Sequence, residues 1–145
     1  AKSAAIHGIT DERVAGMPSL DAVLPAFLRF AEGGVIVGHE VWFDLAFLEP
    51  EAKRMGLPAI PSGHGVVDTR LCSRLVHRSL PDHTLDAVAE RLGVTIQGRH
   101  SALGDALTTA EVLVRLLAML RERGVTTLAA LLDLARTLRT PGRGA

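Results

Sequence analysis

Three residues in this chain have the types and the spacing for hydrolytic chemistry: Asp44, His100 and Asp105. Carboxylates are hard oxygen donors that hold Mg²⁺ or Mn²⁺, and a neutral imidazole takes a proton from an attacking water. Two carboxylates and a histidine converging at one sheet end would therefore suit a divalent-metal hydrolase. Each residue also has a structural explanation. Asp44 could N-cap the helix that follows it, and Asp105 is favoured near a helix N-terminus by the helix dipole. The chemistry follows only if the fold brings the three to one cleft.

Asp44 follows Val35-Ile36-Val37-Gly38, a β-branched apolar run that reads as a short strand buried on both faces. Leu45, Phe47, Leu48, Ala52 and Met55 then set a helical period closed by Gly56. Asp44 is thus expected just beyond the C-terminal end of a buried strand, where open α/β sheets bind ligands. His100 and Asp105 open the longest helix, which runs to about Arg123 and stops at Gly124. Leu103, Leu107, Ala110, Val114, Leu117 and Leu120 recur at three- and four-residue steps and predict its buried face, with Asp105 at the margin.

The remaining elements frame these two. Thr10 can cap a short turn, and Ser19 a helix with Leu20, Val23, Leu24, Phe27, Leu28 and Ala31 inward. Val66-Val67 is a second buried strand, and Asp68 reads as a structural cap for a helix over Arg70–His77 facing inward through Leu71, Leu75 and Val76. Thr84 caps Leu85–Leu92, and a last helix covers Thr126–Leu138. Two buried strands joined by a helix make a right-handed βαβ unit, so the fold class is α/β. Strands apolar on both faces want neighbours, and two are few for so much helix. One domain is expected over residues 1–139, with a Pro/Gly/Arg-rich disordered tail at 140–145.

The bulk composition excludes several classes. With four Phe, one Trp and no Tyr, the chain has little from which to build a base-stacking platform. Sixteen basic and sixteen acidic side chains leave no net charge, hence no broad basic field for nucleic acid. Cys72 is the only cysteine, so there is no internal disulfide and no thiolate zinc pair; it reads as a core residue. Histidines 7, 39, 64, 77, 83 and 100 are scattered without zinc spacing, and His64, His77 and His83 read as surface or loop residues. No apolar run reaches membrane-spanning length and no signal pattern opens the chain, which predicts a soluble, cytoplasmic protein with no membrane partner.

Beyond composition and spacing, the segment VIVGHEVWFDLAFL, Val35–Leu48, resembles the second motif of the DEDDh 3′–5′ exonucleases, an apolar strand followed by H-N-x-x-F-D-x-x-F-L. His100-Ser101-Ala102-Leu103-Gly104-Asp105-Ala106 resembles their third motif, H-x-A-x-x-D-A. IHGIT at Ile6–Thr10, VVDTR at Val66–Arg70 and HTLDAVAERLG at His83–Gly93 follow in family order, so the resemblance spans most of the chain. It is to the proofreading epsilon-subunit type within the ribonuclease-H-like superfamily. It implies a ribonuclease-H-like α/β exonuclease fold and a metal-dependent 3′–5′ exonuclease that releases nucleoside monophosphates. It implies Asp105 and Asp44 as metal ligands in a two-metal Mg²⁺ or Mn²⁺ site and His100 as general base. The implied partners are a single-stranded nucleic-acid 3′ end, DNA in preference to RNA, and a polymerase or a fused module. His7 and Trp42–Phe43 fall where the family lines the strand path.

The sequence departs from the family at Glu40, where Asn is usual, and at Ser101, where Arg is commonest. The family's first motif, D-x-E on its first strand, has no counterpart here, because Asp11-Glu12 has neither the spacing nor a strand around it. The expectation is therefore an N-terminally truncated fold lacking the first three strands, with negligible nuclease activity as given. The alternative is a non-catalytic nucleic-acid-binding or protein-interaction module derived from the same fold.

Overall fold

The computed structural model describes residues 8–60, 65–98 and 100–139, so His7, His64 and the 140–145 tail lie outside the described residues. The elements run α1 (Asp11–Val14), α2 (Leu20–Ala31), β1 (Val35–Gly38), α3 (Val41–Arg54), β2 (Gly65–Asp68), α4 (Thr69–Val76), α5 (Leu85–Leu92), α6 (Ala102–Glu122) and α7 (Leu128–Arg139). β1 and β2 pair in parallel, with Val35 opposite Gly65 and Gly38 opposite Asp68. Parallel neighbours need a crossover, and α3 supplies it.

Side chains alternate across a strand, so adjacent valines on β2 serve opposite faces. Val67 joins a core with Val76, Val88, Val112, Leu116 and Leu120 from α4, α5 and α6. Val66 joins a second core with Leu24, Val41, Leu45, Ala52 and Ile60. β2 is thus covered on both faces, which is why it reads as a continuous apolar run, whereas β1, expected to be buried on both faces, is half-buried and its Val37 is 37% exposed. Gly65 permits the packing of α7: a Cβ there would stand 2.7 Å from a methyl of Leu132.

The helix faces differ from the expectation. On α6 the buried stripe is Gly104, Thr108, Val112, Leu116 and Leu120, while Leu103 is 71% and Val114 65% exposed, and Leu107 and Leu117 also reach the surface. The helix is apolar on two opposite faces, and periodicity cannot choose between them. Small residues decide it, since Gly104 and Thr108 let the preceding loop approach. Thr108 stays satisfied in the core by donating to the Gly104 carbonyl at 2.9 Å. On α2 only Leu24 is buried, with Leu20, Val23 and Phe27 exposed. On α4 the inner face turns to Thr69, Cys72, Ser73 and Val76. α3 starts at Val41, so Asp44 lies inside its first turn and is not the cap, and Phe47 is at the surface.

Candidate active site

A cleft of about 700 Å³ opens beyond the C-terminal end of β1. Val37, Gly38, His39 and Glu40 form its floor, Asp44 projects from α3, and Thr84 and Leu85 form one rim. Asp105, Ala102, Ala106 and Thr109 of α6 form the opposite wall. Asp44 and Asp105 therefore meet across one cavity although they belong to different helices. Burial raises the Asp44 carboxyl above its usual range, its own backbone amide pulls it back, and the negative charge of Asp68 raises it further. A carboxylate held in that field gains from a nearby cation.

His100 is placed differently. It is exposed, holds φ of 63°, and stands immediately before the N-cap of α6, two residues from Ala102 in the cleft wall but not itself among the lining. Ser101 caps α6, accepting from the Gly104 amide at 3.1 Å and donating to the Gly98 carbonyl at 2.6 Å. The Gln97 amide donates to Thr108 Oγ1 at 3.2 Å. The loop before His100 is thereby clamped to α6. Gly104 permits this approach, since a Cβ there would overlap the carbonyl oxygens of Gln97 and Gly98.

A buried polar network lies beneath the cleft floor. Asp68 Oδ1 accepts from the Arg70 amide at 2.9 Å and from the Glu40 amide at 3.1 Å. Burial raises the Asp68 carboxyl, and the amides of Arg70, Leu71 and Val41 with the His39 ring pull it back. Arg70 forms an ion pair with Glu40. His39 Nε2 lies 2.8 Å from the His83 carbonyl oxygen, which only accepts, so Nε2 carries the hydrogen. Its Nδ1 lies 2.9 Å from Thr69 Oγ1, whose hydroxyl donates to the Gly38 carbonyl at 3.3 Å, and burial lowers the His39 pKa. His83, expected at the surface, is buried with its Nδ1 2.9 Å from Ser73 Oγ. Nothing in the periodicity marks it, because its burial depends on pairing with a polar face of α4.

The chain matches the model of the Exonuclease family (RNase_T) over residues 1–113. It belongs to the exonuclease family. It is 44% identical over 138 residues to a DNA polymerase III subunit epsilon-like protein of Rhodobacter capsulatus, covering 94% of this chain and 19% of that protein. It is 37% identical over 120 residues to a PolC-type DNA polymerase III of Caldanaerobacter subterraneus subsp. tengcongensis, covering 83% of this chain and 8% of that protein. The chain thus spans a fifth or less of the length of these relatives. Among solved structures it resembles Exonuclease X in complex with 5′ overhanging duplex DNA, with a TM-score of 0.67 at 23% identity, covering 92% of this chain and 72% of that one. The fold is the α/β exonuclease fold that Val35–Leu48 and His100–Ala106 implied. No helix among the described residues is long and apolar enough to cross a membrane.

Proposed function

We propose that residues 1–139 belong to a metal-dependent 3′–5′ exonuclease domain of the DNA polymerase III epsilon type. It would remove nucleoside monophosphates from a single-stranded DNA 3′ end in the company of a polymerase or a fused module. The observation that carries this reading is the convergence of Asp44 and Asp105 on one cleft beyond β1. Both are hard oxygen donors, as Mg²⁺ and Mn²⁺ require. Among the described residues no three His, Cys, Asp or Glu side chains stand close enough to hold a metal ion by themselves. The pair nonetheless fits such an ion, because Mg²⁺ is commonly held by one or two carboxylates while waters and substrate phosphate complete its shell.

Asp44 and Asp105 would hold the ion, which supplies a polarised phosphate and a more acidic water. His100 would take the proton of the attacking water at a ring nitrogen and then release it to solvent. Its exposure just before the N-cap of α6, two residues from Ala102 in the cleft wall, suits a base that meets solvent on one side. With two of the family's four carboxylates, the 145-residue chain alone binds divalent ions weakly and has negligible nuclease activity. The absence of a three-ligand cluster among the described residues favours a second reading, a module that binds nucleic acid without cleaving it.

The test uses 5′-labelled single-stranded DNA with Mg²⁺, incubated with the native gene product and with the 145-residue chain. The native gene product should shorten the strand from its 3′ end. Asp105→Asn should lower that rate by about a thousandfold, in the range of losing a key electrostatic group. Binding without shortening supports the second reading, and activity indifferent to Asp44→Asn and Asp105→Asn refutes the site.

A further inference from the structure

α3 carries Asp44 but does not cap itself. Its N-cap residue, Glu40, makes no side-chain capping bond and sits at φ 62°, ψ 36°, in the left-handed region. That conformation is strained for an ordinary L-residue and persists only where its surroundings hold it. The surroundings here are the Asp68 carboxylate and the Arg70 guanidinium. Asp68 Oδ1, buried at the end of β2, accepts the Glu40 amide at 3.1 Å while capping its own helix, α4, through the Arg70 amide at 2.9 Å. The neighbouring strand thus supplies the cap that α3 lacks. The loop is closed on the outside by the Arg70–Glu40 ion pair. The register explains the geometry, since Gly38 lies directly opposite Asp68, so the turn leaving β1 passes over that carboxylate.

We infer that Asp68 is a positioning residue for Asp44: by capping α3 and α4 with one oxygen, it holds Glu40 in the left-handed turn that aims the first turn of α3 at the cleft. The functional weight of this inference rests on the exonuclease reading of Asp44, but the latch itself does not. The family's usual Asn at position 40 is a residue that tolerates the left-handed region. Glu40 is less suited to it and is held there by Asp68 and Arg70.

The experiment is amide hydrogen exchange and backbone NMR on the 145-residue chain. Asp68→Ala should speed exchange at Glu40 and Arg70 together by about tenfold, the loss of a charge-assisted hydrogen bond. It should also shift the resonances of Asp44. Adding Glu40→Gly, which adopts the left-handed turn without strain, should restore the Asp44 resonances while Arg70 stays unprotected. A cap serving α4 alone would show no such rescue. Should Asp68→Ala fail to fold, Asp68→Asn keeps an acceptor and should speed both amides several-fold, with the same rescue at Asp44. Exchange at Glu40 and resonances at Asp44 unmoved by Asp68→Ala or Asp68→Asn would overturn the inference. Nuclease activity of the native gene product unchanged by Asp44→Asn, with the latch intact, would instead count against the role given to Asp44.

Discussion

Gly104 sits in the second half-turn of α6, where intrinsic preference favours alanine over glycine by about 1 kcal/mol. The structure reverses that sign. A Cβ on Gly104 would overlap the carbonyl oxygens of Gln97 and Gly98 and stand 2.7 Å from the Gly98 carbonyl carbon. These atoms are backbone and cannot rotate aside, so the loop must retreat. Retreat strains or breaks the 3.2 Å bond from the Gln97 amide to Thr108 Oγ1 and the 2.6 Å bond from Ser101 to the Gly98 carbonyl. Overpacking costs about 1–3 kcal/mol and each weakened bond about 1 kcal/mol, against the ~1 kcal/mol of helix preference. Gly104→Ala is therefore expected to destabilise the fold by about 2–4 kcal/mol, read as a lower urea midpoint at unchanged slope. Gly93→Ala is the control: Gly93 has φ of 66° with nothing within 4 Å, so only the left-handed strain of about 1 kcal/mol applies. Gly104→Ala as stable as the wild-type chain, or less damaging than Gly93→Ala, would refute the clamped loop before His100.

Three further outcomes are expected. Burial lowers the pKa of His39 and His83 below the ordinary 6.5, so between the lowered values and 6.5 the unfolded chain binds more protons and stability falls as pH drops through that window. Burial raises Asp44 and Asp68, which gives the opposite slope at lower pH, as their protonation relieves the cost of holding them charged. Melting curves should therefore show a midpoint that declines below about pH 6.5, and His83→Gln should flatten that decline. Cys72 is buried and its thiol is pushed up to about 11, so Ellman's reagent should label it only as fast as the chain opens; prompt labelling of the native protein would contradict its burial. Phe43 and Phe47 are 69% and 63% exposed and stack edge to face at 5.0 Å, an apolar patch of the kind that drives association. Sedimentation should show concentration-dependent association that Phe43→Ser with Phe47→Ser reduces; a strict monomer would argue against it.

Much of this arrangement was legible in the residues. Val35–Gly38 reads as a strand because every position is apolar or Gly, and Thr84 and Gly93 bound α5 through an N-cap hydroxyl and a left-handed C-cap. The convergence of Asp44 and Asp105 follows once each is set at a helix start facing the sheet end. The orientation of α6 was not legible, because its apolar residues supply two acceptable faces and the choice falls to close packing at Gly104 and Thr108. His83 and the second role of Asp68 were hidden for a related reason. A polar residue signals its local use, such as a cap, while a partner on another strand or helix leaves no mark in its own neighbourhood.

The central claim is that Asp44 and Asp105 share a divalent cation. The most direct measurement is NMR line broadening by trace Mn²⁺ on the 145-residue chain, which reads proximity to the ion without requiring activity. Broadening should concentrate at the first turns of α3 and α6 and at His39–Glu40, and either Asp44→Asn or Asp105→Asn should abolish it at both helices together. Broadening elsewhere, or at one helix independently of the other, would contradict a shared site.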